Sequence, residues 1–384
     1  MKRSFSTEIL GFNETFDTIL QEQSTQGNRD FECISPRFSF TKSEKLIKVL
    51  NSEGIGNVKT VFRETKAQQL GAKVNESSRV IAGNKRGNVR DSLFEAREVQ
   101  TRHFRHVLSF GVLKYDIDRS LFKPWGLAVN DHDEIAVTEL KKDKVSVFRS
   151  DGTHLRSFGK GGCGDGEFDC PSGIVWDRFD NILVSDSGNN RVQVFDRSGN
   201  FLSKFGERGT LDHQLKNPEG LSINGNGDII VADSHNKLIK IFSSSGEYLR
   251  KFGEKGRFFH PIHCIQHGQY FIVSDSANHS IKIFDLEGNF ISIFGKRGRK
   301  DGEFNRPHLF AINKDGLLMV CDSENHRVQV FELSGKFVTK FGSLGYERGK
   351  FEFPSSIASL SDGRIVVCDK NNHRIEVFDQ VYNE

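Results

Sequence analysis

The dipeptide Phe-Gly recurs at Phe110, Phe158, Phe205, Phe252, Phe294 and Phe341, at intervals of 48, 47, 47, 42 and 47 residues. A chain that restates itself at such a period is assembled from supersecondary units that cannot bury their own apolar faces, so the units must stack into an array. A proline opens each unit (Pro124, Pro171, Pro218, Pro261, Pro307, Pro354), and a Val-Phe or Ile-Phe pair recurs at Phe148, Phe195, Phe242, Phe284, Phe331 and Phe378. The two phenylalanine positions account for twelve of the 34 phenylalanines, an excess set against only two tryptophans and two methionines.

Within one unit, Pro171–Gly206, four short segments alternate apolar and polar residues: GIVWD, NILVSD, RVQVFD and FLSKFG. Each predicts a β-strand. X-Gly turns before the last strand (Gly152, Gly199, Gly246, Gly288, Gly335) carry the chemistry of a tight hairpin, so the unit is a four-stranded antiparallel meander. Radial stacking of such meanders gives a β-propeller, which covers both faces of every sheet.

The sixth unit stops after its third strand, while His106–Gly111 supplies an unattached fourth strand before the first unit. Pairing the two closes a ring with both chain ends in one blade. The fourth unit is five residues shorter than its neighbours, four of them missing between Phe252 and Pro261, which predicts a complete blade with a clipped surface loop. The fold expected is all-β, a six-bladed propeller over residues 107–384 preceded by an irregular N-terminal extension over residues 1–106. Mixed charge, polar runs such as QEQSTQGN and the lack of a sustained heptad predict that this extension is partly disordered.

Composition excludes several classes. The six cysteines never approach closer than seven residues, so there is no C-x-x-C pair for zinc or dithiol chemistry. Cys321 and Cys368 share one strand position of the repeat with Thr138, Ser185, Ala232 and Ser274, and are expected to be small buried residues. No apolar run approaches the ~18 residues needed to cross a bilayer, and no secretory leader pattern opens the chain, so a cytoplasmic protein without membrane contact is expected. The net charge of +3 is uneven, with +5 on residues 1–106 and −2 on the remainder, which argues against a globally basic nucleic-acid binder but leaves room for a local patch.

The turn between the second and third strands reads DSGNNRVQVF, DSHNKLIKIF, DSANHSIKIF, DSENHRVQVF and DKNNHRIEVF, from Asp186, Asp233, Asp275, Asp322 and Asp369. These segments resemble the NHL repeat, and the ring resembles the carboxy-terminal propeller of the TRIM-NHL proteins. That family combines RING, B-box and coiled-coil segments, often with a filamin-type immunoglobulin domain, and its members are E3 ubiquitin ligases. Arg37–Val58 resembles the linker after the coiled coil, and Ser92–Gly111 the last filamin strand running into blade one. The space between them is too short for an immunoglobulin sandwich, so a filamin-type segment would be vestigial. With no RING or B-box cysteines, the chain resembles a TRIM-NHL protein reduced to its recognition end. The resemblance implies binding of RNA or of protein partners, and ubiquitin transfer only alongside a RING-bearing relative.

The Asp of each turn and the Asn three residues on (Asp186/Asn189, Asp233/Asn236, Asp275/Asn278, Asp322/Asn325, Asp369/Asn372) are expected to satisfy backbone groups within the turn. Blade one has Glu139 and Lys142 there, which predicts a looser or differently shaped turn. Propeller enzymes hold a metal where the first strands meet. The residues expected to face the axis, Gly126, Gly173, Gly220, His263, Leu309 and Ser356, with neighbours Trp125, Ser172, Glu219, Ile262, His308 and Ser355, contain no three-ligand set. No catalytic residue, metal ligand or cofactor is expected, and a small-molecule hydrolase at the axis near His263 is the weaker alternative.

Binding is the stronger reading, because inter-blade loops and turns share one face and vary while the ring stays rigid. The loop leaving blade four carries Lys296, Arg297, Arg299, Lys300 and Arg306, followed by His308. The preceding loop adds Lys255, Arg257 and His260 beside Phe258 and Phe259, and Arg191, Arg327 and Arg374 lie in the turns of the same face. Cations interleaved with aromatics suit phosphate contacts and base stacking, so the expected partner is single-stranded or hairpin RNA, or a protein that uses this face.

Overall fold

A computed structural model describes residues 102–111, 120–254 and 256–382. Lys255, the linker-like and filamin-like segments before residue 102, and Cys33 lie outside the described residues. Among those described, the chain forms six four-stranded antiparallel sheets. Blade one runs from β2 (Pro124–Val129) through β3 (Ile135–Glu139) and β4 (Lys144–Phe148) to β5 (His154–Phe158). Blade two spans β6 (Pro171–Trp176) to β9 (Phe201–Phe205), blade three β10 (Pro218–Ile223) to β13 (Tyr248–Phe252), blade four β14 (Pro261–His267) to β17 (Phe290–Phe294), and blade five β18 (Pro307–Ile312) to β21 (Phe337–Phe341).

Blade six is the closure. Its sheet order is β1 (Arg102–Phe110), β24 (Arg374–Tyr382), β23 (Ile365–Asp369) and β22 (Pro354–Ser359), so the strand before the first unit completes the last one. The pairing extends from Arg102↔Tyr382 to Phe110↔Ile375, with a register shift between His106 and Leu108. β1 therefore begins four residues before His106. Blade four is a full four-stranded sheet despite its short loop.

The second strand is buried along its length in five blades and all but its first residue, Tyr270, in blade four, and the packed sheets share cores across each interface. One such core joins Met319, Val328 and Phe341 of blade five to Ile357, Val367 and Phe378 of blade six. Phe351, from the loop between them, is completely buried in that core. Its equivalents Phe168, Leu215, Phe258 and Phe304 are also buried, a third apolar position of the repeat that pins each inter-blade loop onto the ring.

The glycine of Phe-Gly exists for this plug. At Gly206, with φ +81°, an added Cβ would lie 2.6 Å from Leu215. The phenylalanine before it meets the next hairpin: at Gly246, with φ +85°, a Cβ would lie 2.7 Å from the Phe205 ring. Each Phe-Gly is thus the contact between one blade and the next, which is why it repeats with the blade.

Candidate recognition face

The loop face is built on a ring of buried carboxylates. Asp186, Asp233, Asp275, Asp322 and Asp369 are completely buried, as is Glu139 of blade one. In all five Asp blades one carboxylate oxygen accepts the backbone N–H of the residue two before the opening proline: Asp169 onto Asp186 (2.7 Å), Lys216 onto Asp233 (2.7 Å), Phe259 onto Asp275 (3.1 Å), Asn305 onto Asp322 (2.7 Å) and Glu352 onto Asp369 (2.7 Å). Asn189, Asn236, Asn325 and Asn372 each donate to their own Asp and also to a glycine carbonyl of the same loop. Asn278, in the blade with the clipped loop, departs and donates to the Ser280 hydroxyl (3.0 Å).

A buried carboxylate needs a paired cation, and the repeat supplies one in two ways. Blades two, five and six use the arginine that opens strand three: Arg191, Arg327 and Arg374 lie 2.7, 2.7 and 2.9 Å from their aspartates. Blades three and four have Leu238 and Ser280 there, and instead place Lys240 (3.0 Å) and Lys282 (2.7 Å) at the middle of strand three. Burial, the largest influence, pushes the carboxyls of Asp186 and Asp322 above the ordinary range and that of Asp369 up to about 6, against the pull of their hydrogen-bond partners.

Three expected contact residues are therefore corrected. Arg191, Arg327 and Arg374 do not present their guanidiniums to solvent: besides the aspartate, Arg327 donates to the carbonyls of Lys300 (2.8 Å) and Glu303 (3.0 Å), and Arg191 and Arg374 make the matching bonds to their own loops. They hold the loops. Phe258 is likewise a buried plug and not a stacking surface, whereas Phe259 is 62 % exposed.

Left-handed residues tie each junction further. His279, His326 and His373, at φ 52°, 56° and 58°, accept through Nδ1 the N–H of Arg306 (3.1 Å), Phe353 (3.2 Å) and Lys123 (3.0 Å). Burial lowers all three imidazoles, keeping the acceptor nitrogen unprotonated, and Arg297 and Arg299 depress His279 and His326 further. Blade one is built differently, as its sequence predicts. Glu139 accepts the Phe122 N–H (2.9 Å), while Lys142, in the asparagine position, donates to the Ser120 carbonyl (2.8 Å).

What remains outside the frame is a basic sector. Lys296, Arg297, Arg299 and Lys300 are exposed in one loop, with Lys296 only 3.5 Å from Glu303 as an ion pair. The neighbouring loops place Phe259 on one side and Tyr346, 75 % exposed, on the other. Arg257 is exposed and lies 5.9 Å from the Phe290 ring, on the outer wall. Arg306, His260 and His308 sit inward: Arg306 pairs with Glu324 (3.2 Å) and His260 with Glu219 (3.0 Å), and the His308 imidazole is driven far down by burial, with Lys370, Arg306 and His260 adding to the shift.

An apolar cluster sits where strands one begin. Trp125 and Leu140 of blade one meet Ile262 of blade four and Leu309 of blade five in one buried cluster, with His308 beside Trp125 at 6.1 Å between rings. Blades one and four stand opposite each other in a ring of six, so this cluster reaches across the axis at that level. His263 is buried, its Nε2 3.3 Å from the Leu221 carbonyl and its ring edge-on to Phe310, and burial pushes it down to about 4. Gly126 faces the carbonyl of Ser172 rather than the channel. Asp143, Asp169 and Cys170 come within 4.8 Å of one another at the junction of blades one and two, where Asp143 accepts the Cys170 N–H (3.0 Å).

No helix among the described residues is long and apolar enough to cross a membrane. Among curated protein sequences none matches the chain. Solved structures similar to it include a virginiamycin B lyase from Staphylococcus aureus with quinupristin (14 % identity, 73 % of this chain and 88 % of that one, TM-score 0.51). A gluconolactonase from Xanthomonas campestris (15 %, 67 % and 86 %, 0.52) and an auxiliary nutrient binding protein from Bacteroides ovatus (15 %, 74 % and 78 %, 0.55) are similar too. At such identities these likenesses speak for the fold alone. The NHL repeat family matches residues 168–195, 215–242, 304–331 and 351–378, each match running from a buried loop plug to the strand-three phenylalanine. Blades one and four, with the altered turn and the clipped loop, are the two left unmatched. The chain carries NHL repeats, and together its blades form a six-bladed all-β propeller.

Proposed function

We propose that the propeller is a recognition module of the TRIM-NHL type that binds single-stranded or hairpin RNA through the loop face at blades four and five. The observation that carries this reading is the exposed set Lys296, Arg297, Arg299 and Lys300, flanked by exposed Phe259 and Tyr346. Such a set offers cations for phosphates and aromatic faces for splayed bases. The apolar cluster of Trp125, Leu140, Ile262 and Leu309 across the axis supports a non-catalytic role, since it leaves no set of three metal ligands among the residues where strands one begin.

A second reading, a protein partner on the same face, is favoured by exposed Leu344 beside Tyr346 and by exposed Phe122 stacked on His373 at 4.7 Å. Ubiquitin transfer would then depend on a RING-bearing relative. Ultraviolet cross-linking in cells, read by RNA sequencing and mass spectrometry, separates the two. Recovery of RNA by the natural chain and its loss in the Arg297→Ala/Arg299→Ala/Lys300→Ala variant supports the first reading. Unchanged RNA recovery in that variant, or recovery of protein alone, removes it.

A further inference from the structure

Strand four of each blade forms the rim of the ring, and among the described residues its outer edge pairs with no strand. Exposed edges invite pairing with another chain, and lysine is a usual guard against it. Here Lys204, Lys251 and Lys340 occupy the fourth position of that strand in blades two, three and five, each bridged to an aspartate of the preceding loop: Asp165 (2.5 Å), Asp212 (2.9 Å) and Asp301 (2.5 Å). Arg156 in blade one and Arg105 on β1 also place charge on their edges.

β17 is the exception. Its sequence, FISIF, is the one rim strand without a charge. Ile293 stands where the lysine would be, and the clipped loop before the blade has lost the matching aspartate. Phe290, Ile291 and Ile293 are 40, 38 and 48 % exposed.

The segment is also complementary to itself. Turned antiparallel about Ser292, Ile291 falls opposite a second Ile293 and Phe290 opposite a second Phe294. A surface that matches its own copy under a two-fold rotation is what an isologous dimer requires.

We propose that β17 pairs with β17 of a second copy about a two-fold axis at Ser292, joining two rings through one continuous eight-stranded sheet. Cross-strand apolar pairs, Ile291 with Ile293 and Phe290 with Phe294, hold the register. Five residues bury little area, so the dimer is weak, with a dissociation constant on the order of micromolar. It occupies the outer wall and not the loop face, and stands whether or not that face binds RNA.

Sedimentation equilibrium of the full chain tests this. The natural chain is expected to dimerise reversibly, and Ile293→Lys, which installs the residue used by blades two, three and five, to weaken the dimer roughly a hundredfold because the change is made twice across the axis. Circular dichroism should show that variant folded, since three sibling blades carry the lysine. A chain that stays monomeric at every concentration leaves the edge to some other partner and overturns the proposal. So does a dimer indifferent to Ile293→Lys.

Discussion

The loops entering blades two and five are two copies of one frame with opposite surfaces. Both contain Asp-Gly-Glu-Phe, at Asp165–Phe168 and Asp301–Phe304. In both, the backbone N–H of the glycine donates 3.0 Å to a strand-three glutamine, Gln193 or Gln329, and the buried arginine grips the same two carbonyls. Yet where the first loop has Gly161, Cys163 and Gly164, the second has Arg297, Arg299 and Lys300. Residues facing the ring are held constant by buried charge, and residues facing solvent are open to change. Cations on this face therefore divide by what they touch: Arg327 belongs to the frame, and Arg299, twenty-eight residues earlier, to the surface.

The frame should break hardest at its carboxylates. Asp322→Ala strands Arg327, Gln329 and the Asn305 N–H, and should cost about 3 to 5 kcal/mol in denaturant unfolding, as removal of one partner from a buried pair does. Asp186→Ala should match it. A loss under about 1 kcal/mol would mean that water replaces the carboxylate and that the frame is looser than its geometry implies.

The next effect is acid sensitivity. His263 has its folded pKa lowered from 6.5 to about 4, so as pH falls below 6.5 the unfolded chain takes up a proton that the folded ring refuses. Its contribution is present above pH 6.5 and is lost towards pH 4, worth about 3 kcal/mol at most. His279, His326 and His373 act in the same direction. The raised carboxyl of Asp369 acts in the opposite sense, its contribution fading as pH rises through about 6. The comparison of junctions isolates one term: blade two uses Asn190, which accepts the Asn217 N–H at 3.0 Å, where blade five uses His326. His326→Asn should keep the bond and flatten the acid limb of melting temperature against pH. An unchanged limb would show that this histidine does not titrate on unfolding.

Least costly to the fold are the exposed cations. Replacing Arg297, Arg299 and Lys300 by Gly, Cys and Gly, as in the blade-two loop, should change unfolding free energy by no more than about 0.5 kcal/mol per position.

Much of this architecture was legible in the sequence, because each blade repeats the same local demands. Phe-Gly, the opening prolines and the hairpin glycines set the strand pattern, and the fourth strand missing from the sixth unit implied closure by the segment before blade one. The Asp and Asn of the turns were legible as recurring polar positions but not by their partners: the Asp accepts an N–H and the Asn donates to a carbonyl of the loop entering the blade, groups the sequence places far from the turn. The roles of Arg191, Arg327 and Arg374 were not, because an arginine near a loop looks exposed until its buried partner is known. The clue lay in the exchange between them and Lys240 and Lys282, which follows from one cation per carboxylate. The plugs Phe168, Phe258, Phe304 and Phe351 were periodic, but the clipped loop hides Phe258 from the register of the others. Trp125 and Ile262 of the axial cluster share the position after the opening proline, but Ser172, Glu219, His308 and Ser355 stand there in the other blades, and the cluster with Leu309 arises only when the blades meet.

The central claim, that the solvent side of the blade-five loop reads RNA while its inner side holds the ring, is tested most directly by equilibrium binding of single-stranded RNA across a salt series, using the natural chain and the Arg297→Gly/Arg299→Cys/Lys300→Gly exchange. The expected result is weaker binding by the exchanged chain, with the slope of log affinity against log salt reduced by about 2, as loss of three phosphate contacts requires, and an unchanged melting temperature. Equal affinity and equal slope in the two chains would contradict it.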